Sequence, residues 1–332
     1  MKEQKFNQIL SSLKKLNRSQ DRILKDEINK IDQKKIVAKS LETPFEYLEC
    51  FHCKSKKFIR WGYQSDLQRY KCKKCNKTFN SLSGSPLAKL KRKGHWLEYS
   101  KCLILGKTIR KSASLCDISK STSFRWRHRF LIASKHMDVD NFKGVVEFYD
   151  QKEKLNFKGS KNIPPKYVKN RPEITVLYCK DRSNNSKSVI FNDFTELNIS
   201  KKLSRILTKD LLFCTDNLNI YHEFSKKTKL RHGFINIQKK EYVKKEIIHL
   251  NNINKYFENY DIWRKRFHGV ATKYLKNYLS WFRTLDEFTY RIQPINILLR
   301  AKGVYVKPTK DEYIFSFNKP ITLPNQSKQN SS

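Results

Sequence analysis

The chain has 332 residues, with 70 Lys and Arg against 31 Asp and Glu, and carries a formal charge of +39. Its 38 % hydrophobic and 13 % aromatic content can fill two or three ordinary cores, which excludes a disordered basic tail. The cation surplus runs from end to end, so a long polyanion-binding surface is expected, with DNA or RNA as partner. No stretch approaches the ~18 consecutive apolar residues of a membrane span, and no membrane partner is expected.

In residues 1–44, apolar side chains recur at helical spacing at Phe6, Ile9, Leu10, Leu13 and Leu16, then at Ile23 and Ile28. That periodicity predicts two helices, closed by Pro44. The opening Met-Lys-Glu-Gln-Lys has no apolar run of the signal-peptide kind, so a reducing, cytoplasmic setting is expected.

Residues 45–87 hold Cys50-Phe-His-Cys53 and Cys72-Lys-Lys-Cys75, separated by 18 residues. Paired C-x-x-C turns at this spacing bring four thiolates around one tetrahedral Zn²⁺, the pattern of a zinc ribbon. Short strands are expected around Phe58-Ile-Arg-Trp-Gly62 and Gln68-Arg-Tyr-Lys-Cys72. A core this small needs its structural zinc. The other cysteines, Cys102, Cys116, Cys179 and Cys214, stand singly among apolar neighbours and read as small buried hydrophobes.

Residues 88–135 resume helical periodicity from Trp96 and again from Thr108. They then turn at Asp117-Ile-Ser119 and run on from Ser121 to Leu131. This is the pattern of a helix-turn-helix. Phe124, Trp126 or His128, and Leu131 are expected on its core face. Ser121, Thr122, Arg125, Arg127 and Arg129 are the candidate DNA-binding side chains, placed to reach base edges and phosphates in a major groove.

From residue 142 the texture becomes β: Gly144–Asp150, Ile174–Lys180, Ser188–Asn192 and Leu211–Asp216, with a hairpin turn at Asp181-Arg-Ser-Asn-Asn-Ser186. Helices are expected at about 197–209, 218–228 and 250–290. Three meandering strands, a helix, a strand ending in an acidic residue and further helices give the order of an α/β ribonuclease-H-like core over 142–295. Residues 296–332 form a C-terminal extension and tail. The expected fold class is multidomain α+β: N-terminal helices, zinc ribbon, helix-turn-helix, then the ribonuclease-H-like core.

Four blocks in this order resemble bacterial insertion-sequence transposases of the ISXO type. They are Arg69–Asn80 with Gly84-Ser-Pro-Leu-Ala88, Ser123–Phe130, Phe157-Lys-Gly-Ser160, and Arg266–Leu275 with Tyr278–Phe282. The resemblance implies a DDE-class domain in which carboxylates hold two Mg²⁺ or Mn²⁺ ions for in-line attack on a phosphodiester. It implies double-stranded DNA as partner, both terminal inverted repeats and target, a homo-oligomer holding two ends, and a bacterial, nucleoid-associated protein. The family's second Asp falls on Asp216 and its third ligand on Asn254.

The first Asp falls on Tyr149, with Asp150 beside it. Strand alternation turns Asp150 away from Asp216 unless a bulge re-aims it, and puts Glu147 on the right face but one pleat back. Two further departures stand at Asp261, and at Phe257 with Glu258. A one-residue slip would instead give Asp150, Asp216 and Glu258 as the carboxylate triad, with Asn254 on the same helical face. Three readings stay open: a transposase that cuts and joins DNA strands, its site either working or impaired; a catalytically inactive transposase-derived DNA-binding protein; and, on the ribbon and charge alone, an RNA-binding or transcription-associated zinc-ribbon protein.

Overall fold

The computed structural model describes residues 3–303, apart from 14, 133–140, 161, 162, 164 and 205. Most of the expected C-terminal extension lies outside the described residues. Two helices open the chain, α1 (Glu3–Leu13) and α2 (Arg18–Leu41). Asn17 caps α2 by accepting from the Gln20 amide, while the Gln20 side chain accepts from the Asn17 amide. Only the last turn of α2, with Val37, Ala38 and Leu41, enters the main core, and Ile23, Ile28 and Ile31 remain exposed.

Next come β1 (Phe58–Gln64), β2 (Leu67–Cys72) and β3 (Thr78–Asn80), an antiparallel sheet in that order. Its own core is Leu48, Tyr70 and Phe79 with Phe58, beside the cysteines. Three helices follow: α3 (Trp96–Ile104), α4 (Ile109–Leu115) and α5 (Lys120–Ile132). Edge-on rings of Trp96 and Tyr99 against Trp126, at 6.4 and 5.3 Å, pack α3 on α5. Asp117, where glycine would be usual, makes the turn before α5 with a φ of 47°.

The remaining chain builds one five-stranded sheet from β4 (Val145–Lys154), β5 (Glu173–Asp181), β6 (Ser186–Phe191), β7 (Leu212–Asp216) and β8 (Arg231–Ile235). Its order is β6-β5-β4-β7-β8, antiparallel from β6 to β4 and parallel from β4 to β8. A short α6 (Lys166–Lys169) precedes β5, α7 (Glu196–Leu203) precedes β7, and α8 (Asn219–Thr228) follows it. A small hairpin, β9 (Val243–Lys244) with β10 (Ile248–His249), leads into α9 (Asn251–Lys265), α10 (Thr272–Glu287) and α11 (Pro294–Lys302).

One face of the sheet packs Phe148, Leu177 and Phe213 on Ile199, Tyr221 and Phe224 of α7 and α8. The other face joins a larger core containing α9, α10 and α11 together with α3 and α5. The Trp281 indole N–H of α10 donates to the Leu103 carbonyl of α3 at 3.1 Å, deep in that junction.

Two expectations change here. The helical stretch at 250–290 breaks between α9 and α10, because His268 and Gly269 take φ values of 50° and 88°. The helix expected to reach residue 209 stops at Leu203. Among the described residues no helix is long and apolar enough to cross a membrane.

Candidate functional site

The two cysteine turns are built alike. Lys54 N donates to Cys50 O at 2.8 Å and Asn76 N to Cys72 O at 3.0 Å, and Lys54 and Asn76 are left-handed, with φ of 60° and 57°. Both turns therefore aim their sulphurs inward. Cys50 Sγ lies 3.6 Å from Cys75 Sγ, and Cys53 Sγ lies 3.6 Å from Cys72 Sγ. A tetrahedron with Zn–S bonds of about 2.3 Å has edges of roughly 3.8 Å, so the cluster fits a metal such as zinc. The amides of Cys75 and Lys74 donate to Cys72 and bring its thiol down to about 6, toward the thiolate a metal needs. This is the one group of three or more His, Cys, Asp or Glu among the described residues with ligand atoms within 4.8 Å of one another. Cys102, Cys116, Cys179 and Cys214 are buried.

On α5 the structure divides the five candidate DNA-binding residues. Ser121 and Arg125 are exposed. Thr122 is half-buried, and its amide donates to the Ser119 hydroxyl at 3.1 Å, which secures the first turn of the helix. Arg129 Nη2 donates to Ala88 O at 2.9 Å and its Nε donates to Pro86 O, so it ties α5 to the preceding connector.

Arg127 corrects the expectation that it faces a groove, since it is fully buried. It shares the inward stripe of Ser123, Trp126 and Phe130, and its Nη2 donates to Lys107 O and Ser112 Oγ. Phe124, expected inside, is instead 41 % exposed, and its ring meets His128 at 4.5 Å and Tyr274 at 5.7 Å.

The carboxylates sit where β4 and β7 run side by side. Glu147 pairs with Cys214, and continuing that parallel register sets Asp216 level with Tyr149. The Tyr149 ring packs against Phe257 of α9 at 4.6 Å, filling the space between strand and helix. Asp150 points to the opposite face, where it accepts a 2.6 Å hydrogen bond from the Tyr221 hydroxyl. Burial, with the nearby charge of Asp150, raises Asp216 to about 6.

Glu147 is fully buried and already engaged. It accepts from Asn252 Nδ2 at 2.7 Å and from the Ile253 amide at 2.9 Å, with His249 Nδ1 at 3.3 Å and Arg182 Nε at 3.7 Å. Its carboxylate pins the first turn of α9. Asn254 is exposed, Glu258 pairs with Lys255 at 3.1 Å, and Asp261 pairs with Arg264 and Lys265, each at 2.9 Å. Asp150, Asp216 and Glu258 therefore do not converge as a carboxylate triad. As arranged, these groups do not fit a two-metal centre. The roles of Tyr221, Arg182 and His249 have no signal in the sequence, because each contact joins segments far apart along the chain.

The raised Asp216 has a thermodynamic consequence. Its folded form holds a proton more tightly than the unfolded form, so stability declines as pH rises from about 4 through about 6 and the penalty persists above. Asp216→Asn is expected to stabilise the protein by about 1 kcal/mol at pH 8 without divalent ions, after discounting for solvent screening. The two proteins should converge below about pH 4. Paired thermal melts across this range check it, and an unchanged difference at all pH values would contradict it.

In this sheet the acidic end of β7 stands beside the central strand β4, and α9 lies across β4 and β5. Residues 143–293 match the family model of the ISXO2-like transposase domain, so the segment holding this sheet, α9 and α10 is a transposase domain of that family. The chain is also similar to the uncharacterized protein in transposable element ISH50 of Halobacterium salinarum. The two are 26 % identical over 254 residues, which cover 72 % of this chain and 85 % of that protein.

Proposed function

We propose that the chain binds the terminal inverted repeats of an insertion element and that its strand-cutting site is closed. In this reading residues 45–87 are a zinc ribbon and residues 88–135 a helix-turn-helix. Ser121, Thr122 and Arg125 face the groove, and the ribonuclease-H-like domain over 142–295 serves as scaffold. The single observation that carries the closure is Tyr149, whose ring lies on Phe257 at 4.6 Å at the level of Asp216, where the resemblance expects a carboxylate. The half-buried Tyr149 offers no carboxylate for a hard cation, its hydroxyl donates to Gln151 Oε1 at 3.1 Å, and Asp150 is held on the far face by Tyr221. The charge of +39 supports the DNA reading, as does the transposase domain. Double-stranded DNA is then the partner, a homo-oligomer brings two ends together, and the protein works beside the nucleoid in the cytoplasm.

The test is a mobility shift and a strand-cleavage assay on matched element ends with Mg²⁺ or Mn²⁺, run on wild type and Asp216→Ala. Salt-sensitive binding by both proteins is expected, with no cleavage that depends on Asp216. Wild-type nicking abolished in Asp216→Ala would overturn the closure and make Asp216 part of a working site, with Asp150, Asn254 and Glu258 the next positions to substitute.

A further inference from the structure

The helical unit and the transposase domain meet around a cavity of about 630 Å³ lined by Arg110, Arg127, Lys158 and Arg266, and by no Asp or Glu. Arg127 is fully buried, and its Nε and Nη1 have no hydrogen-bond partner. Among the described residues it makes no ion pair with a carboxylate. Its guanidinium lies 5.1 Å from the centre of the Trp281 ring, which offsets only part of the cost of burying a charge. A buried cation without a counter-ion, facing a cavity of this size, calls for an anion.

The walls are built to stay open. Arg266 reaches in over Gly106 and donates to Leu105 O at 3.3 Å; a Cβ on Gly106 would stand 2.6 Å from Arg266 Nη1. Lys158 Nζ donates to the carbonyls of Phe267, His268 and Gly269, at 3.2, 2.7 and 3.2 Å, and so fixes the loop between α9 and α10 as one rim. The opposite rim is aromatic. His128 stacks on Tyr274 with centroids 3.8 Å apart, and Phe124 meets both edge-on while keeping an exposed face.

Cations running from the exposed Arg110 at the rim to the buried Arg127 at the base, with a ring platform at the mouth, match a phosphate joined to a planar aromatic group. The volume falls within the range of small-ligand sites and is far too narrow for a duplex. We propose that this cavity takes one unpaired nucleotide of a bound DNA strand, its phosphate against Arg127, Arg110 and Arg266 and its base on Phe124 and Tyr274. The proposal rests on the reading that the chain binds DNA, and adds a strand-specific subsite to a protein whose other contacts address duplex.

The experiment measures fluorescence anisotropy of labelled oligo-dT and of a labelled element-end duplex with the full-length, metal-loaded chain. Arg110→Ala and Tyr274→Ala alter the rim and should each weaken oligo-dT binding about tenfold, the worth of one stacked or phosphate contact. Arg127→Met should do the same. Should that variant fail to fold, the two rim variants decide alone. Arg125→Ala, on the outer face of α5, should weaken duplex binding and leave oligo-dT within about twofold.

Wild-type affinity for oligo-dT in both rim variants, with Arg125→Ala still impaired on duplex, would overturn the subsite while the DNA-binding reading stands. A wild-type protein that binds neither probe would overturn both. Equal affinity for free dTMP and for oligo-dT would overturn the strand as ligand, since a chain-borne nucleotide gains from its neighbouring phosphates.

Discussion

Glu147→Ala is expected to lower the stability of the transposase domain by about 3–5 kcal/mol, the cost of removing one member of a buried charged network. The side chain is 0 % exposed, and two of its hydrogen bonds run to the start of α9, at Asn252 and Ile253. Without it the Ile253 amide loses its acceptor, and Arg182 and His249 face each other at 2.9 Å with no carboxylate between β4 and α9. Because α9 carries Tyr256, Phe257, Tyr260 and Trp263 into the core, loosening its first turn should spread along the helix. Hydrogen exchange over 251–265, read beside the melting curve, checks this. A loss under about 1 kcal/mol with α9 still protected would mean that the carboxylate is not the clamp. Glu147→Gln should fall between, since it keeps the shape and one acceptor but not the charge.

What the sequence could reveal follows from how far apart the interacting residues lie. The four cysteines are legible because each pair is closed by a turn of its own residues, and the strand-end position of Asp216 is legible because strand C-termini and turns are local. Alternation along β4 also placed Asp150 on the face away from Asp216, where it meets Tyr221. Arg127 was not legible: composition rules put arginine outside, and only the packing of α10, through Trp281, makes the inward stripe of α5 include it. The strand β8 passed unread because Arg231-His-Gly-Phe-Ile235 has little apolar content, and its glycine serves a neighbour. A Cβ on Gly233 would lie 2.8 Å from the Ile248 side chain. Glu147 looked like a displaced catalytic candidate, since its partners on α9 stand more than 100 residues later.

Removing the metal, by chelation or by Cys72→Ser, is expected to unfold β1, β2 and β3 while leaving α3 to α11 intact. The private core of this sheet is Leu48, Tyr70 and Phe79 with the half-buried Phe58 ring, too little to offset about 1–2 kcal/mol of backbone entropy per ordered residue. A four-thiolate zinc contributes on the order of 10–16 kcal/mol in small domains of this kind. The loss should stop at the connector, because Leu82 and Leu87 belong to the main core and Arg129 holds Pro86 and Ala88 to α5. Metal analysis should return one zinc per chain for wild type and none for Cys72→Ser. Hydrogen exchange should show lost protection confined to about residues 48–80. Zinc should also be released as pH falls, because protons compete for the thiolates and the sulphur first held low, Cys72 at about 6, is the last to be protonated. A metal-free Cys72→Ser protein with β1 and β2 still protected would show that the aromatic cluster around Tyr70 suffices without zinc, and that the four sulphurs meet for another reason.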